Sequence, residues 1–250
     1  MDQDQFSALG NDYEDTAATP FRAYVEIPSM LAAIGEVKGA AVLDAGCGTG
    51  VYARLLARSG ATRVLGIDAS DGMLSVAKEL EQQLPLGVEY RTGDISVAQG
   101  LDMDLVVAVY LLPYARTGAD LLSMCRGLAA ALRPGGRLVT AVLNPDYAAE
   151  PGWYAQYGFA LTTAGERDED DPVVLSVDQD GMSFEVSAYY HGRQTMESAL
   201  REAGFREIIW AGPHAAPAGI DRHGQEFWDN YLRCPHALIV RARLDSAAAA

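Results

Sequence analysis

A doubly wound α/β fold built on a mostly parallel sheet is the class that the sequence predicts. Between residues 38 and 145, apolar runs of strand length alternate with stretches of helical periodicity, which is the pattern of successive βα units. The first strand, ending in Val42 and Leu43, leads into three glycines within five residues, and a helical pattern resumes at Val51. Such a turn lets a ligand lie against bare backbone at a helix N-terminus. The sequence therefore predicts a cofactor site here.

The other elements of this core follow the same alternation. Thr19-Pro20 predicts the N-cap and first position of a helix, which Pro28 should break or restart. A further helix is predicted over 119–132, with a stop at the run Arg133-Pro134-Gly135-Gly136. Further buried strands are predicted at 63–68, 88–94, 102–110 and 136–144.

The pattern changes after Pro145. Residues 146–192 contain several aromatic side chains, an acidic loop at 166–171, and two β-like runs that form a predicted hairpin, 173–177 and 183–190. A helix at 195–205 and strands at 206–210 and 236–244 complete the predicted chain, and the tail at 247–250 is predicted to be frayed.

Length, charge and cysteine usage restrict the class of protein. The chain has 250 residues, which suits one α/β domain, and its 34 acidic against 19 basic residues give a net charge of −15 that disfavours a nucleic-acid partner. The start of the chain has no long apolar run, so we expect a cytoplasmic protein without a membrane partner. Three cysteines without C-x-x-C spacing indicate neither a disulfide framework nor a zinc site. The oligomeric state is left open.

The glycine spacing distinguishes between cofactors. Val51 stands where a dinucleotide fingerprint needs its third small residue, so the spacing is G-x-G-x-G. The run Asp-Ala-Gly-Cys-Gly-Thr-Gly from Asp44 to Gly50 resembles the first motif of the class I S-adenosylmethionine-dependent methyltransferases. This resemblance implies a Rossmann-like, seven-stranded sheet whose last strand is antiparallel. It also implies one domain with a helical lid (1–37), a cofactor-binding core (38–145), a substrate cap (146–192) and a C-terminal completion of the sheet (193–244), with 245–250 as tail.

The same resemblance implies S-adenosyl-L-methionine as cofactor and S-adenosyl-L-homocysteine as product. Asp68, at the end of the second strand, is positioned to accept hydrogen bonds from both ribose hydroxyls. The resemblance implies that Met73 and Asp94 contact the adenine and that Tyr13 covers the methionine end of the cofactor. The alternatives are core packing for Met73, capping of the following turn for Asp94, and pinning of the lid helix to the core for Tyr13. The predicted cofactor-binding residues are Tyr13, Arg22, Asp44, Gly46, Cys47, Gly48, Gly50, Asp68, Ala69, Met73, Gly93, Asp94, Ile95 and Tyr110.

The acceptor site is expected at the end of the fourth strand, around Tyr110 and Tyr114, because ligands lie beyond the carboxyl ends of parallel strands. A sulfonium methyl needs mainly an aligned nucleophile, and a general base only if that nucleophile arrives protonated. His191 is the leading candidate base, with a hydrogen bond to the neighbouring turn as its alternative role, and Tyr110 and Tyr114 are further catalytic candidates. No metal is expected. The predicted substrate-binding residues are Tyr114, Tyr147, Trp153, His191 and His214.

Three shorter stretches narrow the resemblance. Residues 19–26, 195–205 and 226–228 are similar to a bacterial small-molecule branch that includes toxoflavin-synthase-like azapteridine N-methyltransferases. We therefore expect methyl transfer to a flat heteroaromatic metabolite, with a ring nitrogen favoured, in bacterial secondary metabolism such as antibiotic biosynthesis. Transfer to oxygen or carbon of a phenol or quinone-like acceptor, and a non-catalytic module that only binds the cofactor, are the alternatives.

Overall fold

The computed structural model describes residues 4–7, 9–163, 165–179 and 181–246. Its strands, in chain order, are β1 (Ala41–Ala45), β2 (Arg63–Asp68), β3 (Val88–Thr92), β4 (Met103–Val109), β5 (Leu132–Leu143), β6 (Phe159–Thr163), β7 (Pro172–Gln179), β8 (Met182–Tyr189), β9 (Phe205–Ala211) and β10 (Ala237–Leu244). Its helices are α1 (Asp4–Ser7), α2 (Gly10–Asp15), α3 (Ile27–Ile34), α4 (Val51–Arg58), α5 (Asp71–Gln83), α6 (Gly118–Ala131), α7 (Arg193–Glu202), α8 (Pro217–His223) and α9 (Gln225–Arg233).

Seven strands form the central sheet in the order β3-β2-β1-β4-β5-β10-β9, and β10 is antiparallel to both of its neighbours. This confirms the predicted α/β class and the antiparallel last strand. Successive residues of each strand enter opposite cores: Val42 packs with α3 and α4, whereas Leu43 packs with α6 and α7. The sheet is therefore covered on both faces, and its parallel strands present their carboxyl ends along one edge.

Two of the differences between the predicted and the observed strand boundaries have a clear physical cause. The third strand ends at Thr92, because Asp94 already caps the short helical turn Ile95–Val97. The fifth strand begins at Leu132, because this residue pairs with Met103 across a register shift that absorbs the predicted stop signal.

Of the two outcomes predicted for Pro28, a break or a restart of the first long helix, the structure shows the restart, because Pro28 stands in the first turn of α3. Residues Arg22–Glu26 form a π-helical turn that continues directly into α3. Proline has no N–H to donate to the carbonyl of Tyr24, four residues earlier. That carbonyl instead accepts a hydrogen bond of 2.7 Å from the backbone N–H of Ala216, so the helix continues without an unsatisfied group.

A second, three-stranded antiparallel sheet lies between β5 and α7 in the chain. Strands β7 and β8 form the predicted hairpin, although Asp180 in its turn lies outside the described residues, as does the tail at 247–250. Strand β6 was not predicted, but it pairs with β7 along its whole length, from Phe159 opposite Val177 to Thr163 opposite Val173. In the described part of the chain, no helix combines the length and hydropathy needed to cross a membrane.

An aromatic core joins this small sheet to α9 and to the N-terminal helices. Trp228 is completely buried, stacks on Tyr157, and donates its indole N–H to the carbonyl of Gly219 at 3.0 Å. We expect Trp228→Phe to lower the free energy of unfolding by about 2–4 kcal/mol, because it removes both packed atoms and a buried hydrogen bond. Trp210→Phe is the matched control, since the indole N–H of Trp210 has no partner among the described residues. Denaturant titrations that give equal losses for both variants would contradict this interpretation.

Candidate functional site

The glycine turn after β1 is held by the end of β2. Gly46, Gly48 and Gly50 all have positive φ, at 67°, 54° and 83°, a region that other residues rarely adopt. The backbone N–H groups of Gly46 and Cys47 both donate to the carbonyl of Ile67, at 2.8 and 3.0 Å. The turn is thereby fixed beside β2 before any ligand binds.

Asp68 extends this anchoring. Its Oδ2 accepts from the N–H of Gly48 and its Oδ1 from the N–H of Ser70, both at 2.8 Å. Burial raises the pKa of Asp68, and the N–H groups of Ser70, Gly48 and Ala69 oppose that shift. Each carboxylate oxygen keeps acceptor capacity for a ligand hydroxyl, because an ionised carboxylate offers about four lone-pair sites in all.

Asp44, in contrast, acts on the scaffold. It is nearly fully buried, and its Oδ2 accepts from the N–H of Ala53 at 2.8 Å in the first turn of α4. Burial raises its pKa to about 7, with a further contribution from Asp68 and an opposing one from the Ala53 N–H. In this structure its hydrogen bond fixes where α4 begins.

A smaller cavity of about 50 Å³ lies above the glycine turn. Nine of the predicted cofactor-binding residues line it: Tyr13, Gly46, Gly48, Asp68, Ala69, Met73, Gly93, Ile95 and Tyr110. Five others do not: Arg22, Asp44, Cys47, Gly50 and Asp94. Among these, Asp94 is exposed and caps a turn by accepting from Ser96 N–H at 2.8 Å, which is the alternative that the sequence left open. Cofactor contact by these five stays a prediction.

The floor of this cavity depends on close packing beneath Ile95. A Cβ atom at Gly127, in the middle of α6, would lie 1.9 Å from the carbonyl oxygen of Ile95. That distance leaves no room for a side chain, so glycine is required for α6 to approach the turn that carries Ile95. Gly118, at the start of the same helix, faces open space.

A larger cavity of about 130 Å³ adjoins the smaller one, and Tyr13, Tyr110 and Tyr114 line both. Burial raises the pKa of all three tyrosines, so they stay protonated near neutral pH. Tyr110 has a φ of 57°, and such a backbone conformation is costly for a non-glycine residue and concentrates at functional sites. Three protonated phenol side chains therefore line the junction of the two cavities.

The small sheet supplies one wall of the larger cavity. Alternate residues of its strands point inward, as the period of two requires: Phe159, Leu161, Val173, Leu175, Val177, Phe184, Val186 and Ala188. The opposite wall contains polar groups from the N-terminal helices. Arg22 Nε donates to Glu26 Oε1 at 2.9 Å, and Arg22 Nη1 donates to Thr16 Oγ1 at 2.7 Å. Burial acts to lower the pKa of Arg22, but Glu26 and the nearby phenols outweigh it and the net pKa is raised.

His236, just before β10, also lines the larger cavity. Its Nδ1 lies 3.0 Å from the Tyr231 hydroxyl, and its ring packs 4.6 Å from that of Phe159 and 5.8 Å from that of Tyr110. Burial lowers its pKa to about 3, so the imidazole is neutral at physiological pH.

His191 does not occupy the place that the sequence predicted. Its buried ring turns into the core, where Nε2 lies 2.9 Å from the carbonyl oxygen of Ala115, and it lines neither cavity. The contact therefore bears on the chain immediately after Tyr114 and matches the alternative role, a hydrogen bond to a turn. The base role of His191 stays a prediction.

Three further predicted substrate residues lie outside both cavities. Tyr147 is buried beneath the Arg167 guanidinium, Trp153 lies against Arg233, and His214 hydrogen-bonds Ser29. Tyr157 and Phe159 of the same aromatic stretch line the larger cavity, but among the predicted substrate residues only Tyr114 lines a cavity.

Glu26 and His236 line the cavity but were missed by the sequence analysis. A signal existed for His236: an antiparallel strand begins where its parallel neighbours end, so the residue before β10 must lie at the ligand edge. For Glu26 no such rule applies, because the π-helical turn that sets its direction was not predicted.

Comparisons with known proteins agree with this geometry. Residues 42–136 match the family described as "Methyltransferase domain". A "Ubiquinone biosynthesis O-methyltransferase" of Coxiella burnetii is 30% identical over 171 residues, which cover 66% of this chain and 71% of that protein. An S-adenosylmethionine-dependent methyltransferase from Mesorhizobium loti superposes with a TM-score of 0.64 at 25% identity, covering 90% of this chain and 98% of its own. The CcbJ methyltransferase from Streptomyces caelestis, at 19% identity, shares the fold with a TM-score of 0.65 over 98% of this chain and 100% of its own.

The raised pKa of Asp44 predicts a specific pH dependence. Because the folded-state pKa of about 7 exceeds the unfolded value of about 4, its contribution to stability is complete below pH 4 and is lost as pH rises to 7. Asp44→Asn keeps an acceptor for Ala53 and removes this titration. We therefore expect the melting temperature of the variant, relative to the original chain, to rise between pH 5 and pH 8. Parallel melting curves across this range would refute the assignment.

Gly127→Ala should deform the smaller cavity, because Gly127 packs against the backbone of Ile95, which lines that cavity. The added Cβ must displace the turn bearing Ile95, an overpacking that costs about 1–3 kcal/mol of stability. Because Ile95 lines the smaller cavity, the displacement also removes ligand contacts, and about 1 kcal/mol of lost contact corresponds to a fivefold loss of affinity. We expect S-adenosylhomocysteine, measured by calorimetry, to bind at least fivefold more weakly. Gly118→Ala is the control in the same helix and should leave affinity unchanged; equal affinities for both variants would show that the turn tolerates the methyl group.

Proposed function

The chain belongs to the class I S-adenosylmethionine-dependent methyltransferases, and from this membership we propose that it methylates a small, flat heteroaromatic metabolite at a ring nitrogen. S-adenosyl-L-methionine is the cofactor. The single observation that carries the proposal is the larger cavity, which is apolar, is partly aromatic, and meets the cofactor cavity at three tyrosines.

The residues of the smaller cavity fit this cofactor. Asp68 retains acceptor capacity for ribose hydroxyls, and the glycine turn leaves the cavity floor free of side chains. A Cβ at Gly48 would lie 3.6 Å from the Tyr13 ring, so that ring covers the turn closely. We propose that Tyr13, at the junction, covers the methionine end of the bound cofactor.

The size of the larger cavity supports a compact acceptor. Its volume of about 130 Å³ is close to that of apolar protein cavities of about 150 Å³ that take up benzene. The inward face of the small sheet offers only carbon atoms, which suit the faces of a flat ring. We propose that the segment 146–192, which contains this sheet, is the substrate cap and that residues 1–37 form the lid.

The charge balance of the cavity supports a neutral acceptor. Among the described lining residues, Arg22 is the sole lysine or arginine, and Glu26 neutralises it at 2.9 Å. No cation is therefore left for a substrate carboxylate or phosphate, and burying such a group unpaired would be costly.

The cofactor supplies an electrophilic methyl group, and the protein positions the nucleophile. The tyrosines of the junction, protonated and half-buried, line the region where the two cavities meet and can hydrogen-bond an acceptor heteroatom. Most of the rate enhancement then comes from alignment.

Transfer to a phenolic oxygen is a second candidate, because the Coxiella burnetii relative carries the name of an O-methyltransferase. A phenol ring would fit the same apolar walls. A long isoprenoid tail exceeds the volume of the cavity and would have to leave it, so we favour a compact acceptor.

Incubation with methyl-labelled cofactor and a panel of acceptors tests the proposal. We expect label in a ring N–H heterocycle such as lumazine, with the N-methyl product identified by NMR, and little in 1-naphthol. Asp68→Ala should abolish S-adenosylhomocysteine binding and transfer together, whereas Asp71→Ala, outside the cavity lining, should retain both. Label confined to oxygen acceptors would establish the second candidate instead.

A further inference from the structure

Glu26 is an acidic side chain in a wall that is otherwise apolar, aromatic or neutral apart from Arg22. It is nearly fully buried, and its Oε1 accepts from Arg22 Nε at 2.9 Å and from the Tyr52 hydroxyl at 3.1 Å. Both of these hydrogen bonds end on Oε1, and Oε2 is not among the enclosed, unpaired atoms of the described residues. Because Glu26 lines the larger cavity, Oε2 remains open to accept a hydrogen bond from a ligand there.

The other polar side chains of the cavity are poor proton acceptors. Tyr13, Tyr110 and Tyr114 keep their protons because burial raises their pKa, and burial lowers the pKa of His236 to about 3. Arg22 is a permanent cation, and threonine hydroxyls are not bases near neutral pH. Among the described lining residues, the carboxylate of Glu26 is therefore the remaining candidate for a proton acceptor.

We propose that Glu26 accepts the proton that a ring N–H or hydroxyl of the acceptor releases during methyl transfer, and thereby selects acceptors that carry such a donor. The inference rests on the proposed function and extends it by naming the catalytic base and the feature that it recognises.

The step balances without any further reactant. The nitrogen lone pair forms the new N–C bond to the methyl group as the methyl–sulfur bond breaks and its electron pair returns to sulfur, which loses its positive charge. The N–H proton passes to Glu26 Oε2 and later to solvent. The carboxylate charge and the sulfonium charge are therefore removed together, so the net charge of the closed site is unchanged.

The surroundings of Glu26 hold its direction. The π-helical turn carries both Arg22 and Glu26 into the cavity wall, and Tyr52 belongs to α4, which starts at the glycine turn. The hydrogen bond from Tyr52 therefore connects Glu26 to α4, the helix that begins at the glycine turn. The titratable groups around it, from every packed element, are Tyr13, Arg22, Tyr52, Tyr110 and Tyr231.

The test compares Glu26→Gln with the original chain across pH, using lumazine as acceptor. At neutral pH we expect a loss of turnover of about 10²- to 10⁴-fold, the usual contribution of a general base. The gap should close above the pKa of the lumazine N–H, because an ionised acceptor needs no base. S-adenosylhomocysteine affinity should stay within about twofold, and Glu185→Gln, on the exposed side of β8, should match the original chain.

The outcomes are distinct. An equal rate for Glu26→Gln, or a deficit that does not change with pH, overturns the inference alone. A chain that binds S-adenosylhomocysteine but methylates no acceptor of the panel overturns the proposed function as well. If Glu26→Gln fails to fold because Arg22 is left unpaired, the double variant Arg22→Gln, Glu26→Gln removes both charges, and the same pH-dependent gap is required of it.

Discussion

The carbonyl of Ile67 and the carboxylate of Asp68, at the end of β2, hold the glycine turn that follows β1. Three backbone N–H groups of the turn, those of Gly46, Cys47 and Gly48, donate to this one strand end at 2.8–3.0 Å. Because parallel pairing sets where β2 ends relative to β1, the position of the turn is fixed by sheet register. Folding of the sheet therefore also orders the turn beneath the smaller cavity. The conformational entropy lost in ordering the turn is offset by the free energy of folding the sheet.

The N-terminal helices are joined to that turn through buried polar contacts. Glu26 reaches Tyr52 in the first turn of α4, and Arg54 of the same helix pairs with Glu14 of α2. Both contacts end on the helix whose N-terminus follows the glycine turn. Any movement of these N-terminal helices must break or carry these bonds, so we expect their position and the occupancy of the smaller cavity to be energetically linked.

The sequence analysis succeeded where one local rule determines the outcome. Three close glycines need positive φ, and strand ends in a parallel sheet share an edge, so Gly46, Gly48 and Asp68 could be assigned to the small cavity wall without coordinates. It failed where direction depends on distant packing. His191 lies next to a strand end, as predicted, but its ring turns towards Ala115, and nothing in the local sequence sets that rotation.

The acceptor site shows why the substrate is the part least accessible from sequence. Its proposed walls come from the π-helical turn and, more than 100 residues later in the chain, from the small sheet and the residue before β10. Each element contributes only the residues of one face. Periodicity identifies alternate residues such as Val173 and Leu175 as one face of a strand, but not what that face covers. The inward face of the small sheet lines the larger cavity and contributes no residue to the lining of the smaller one. Substitutions on that face are therefore expected to change the proposed acceptor while the cofactor site stays intact.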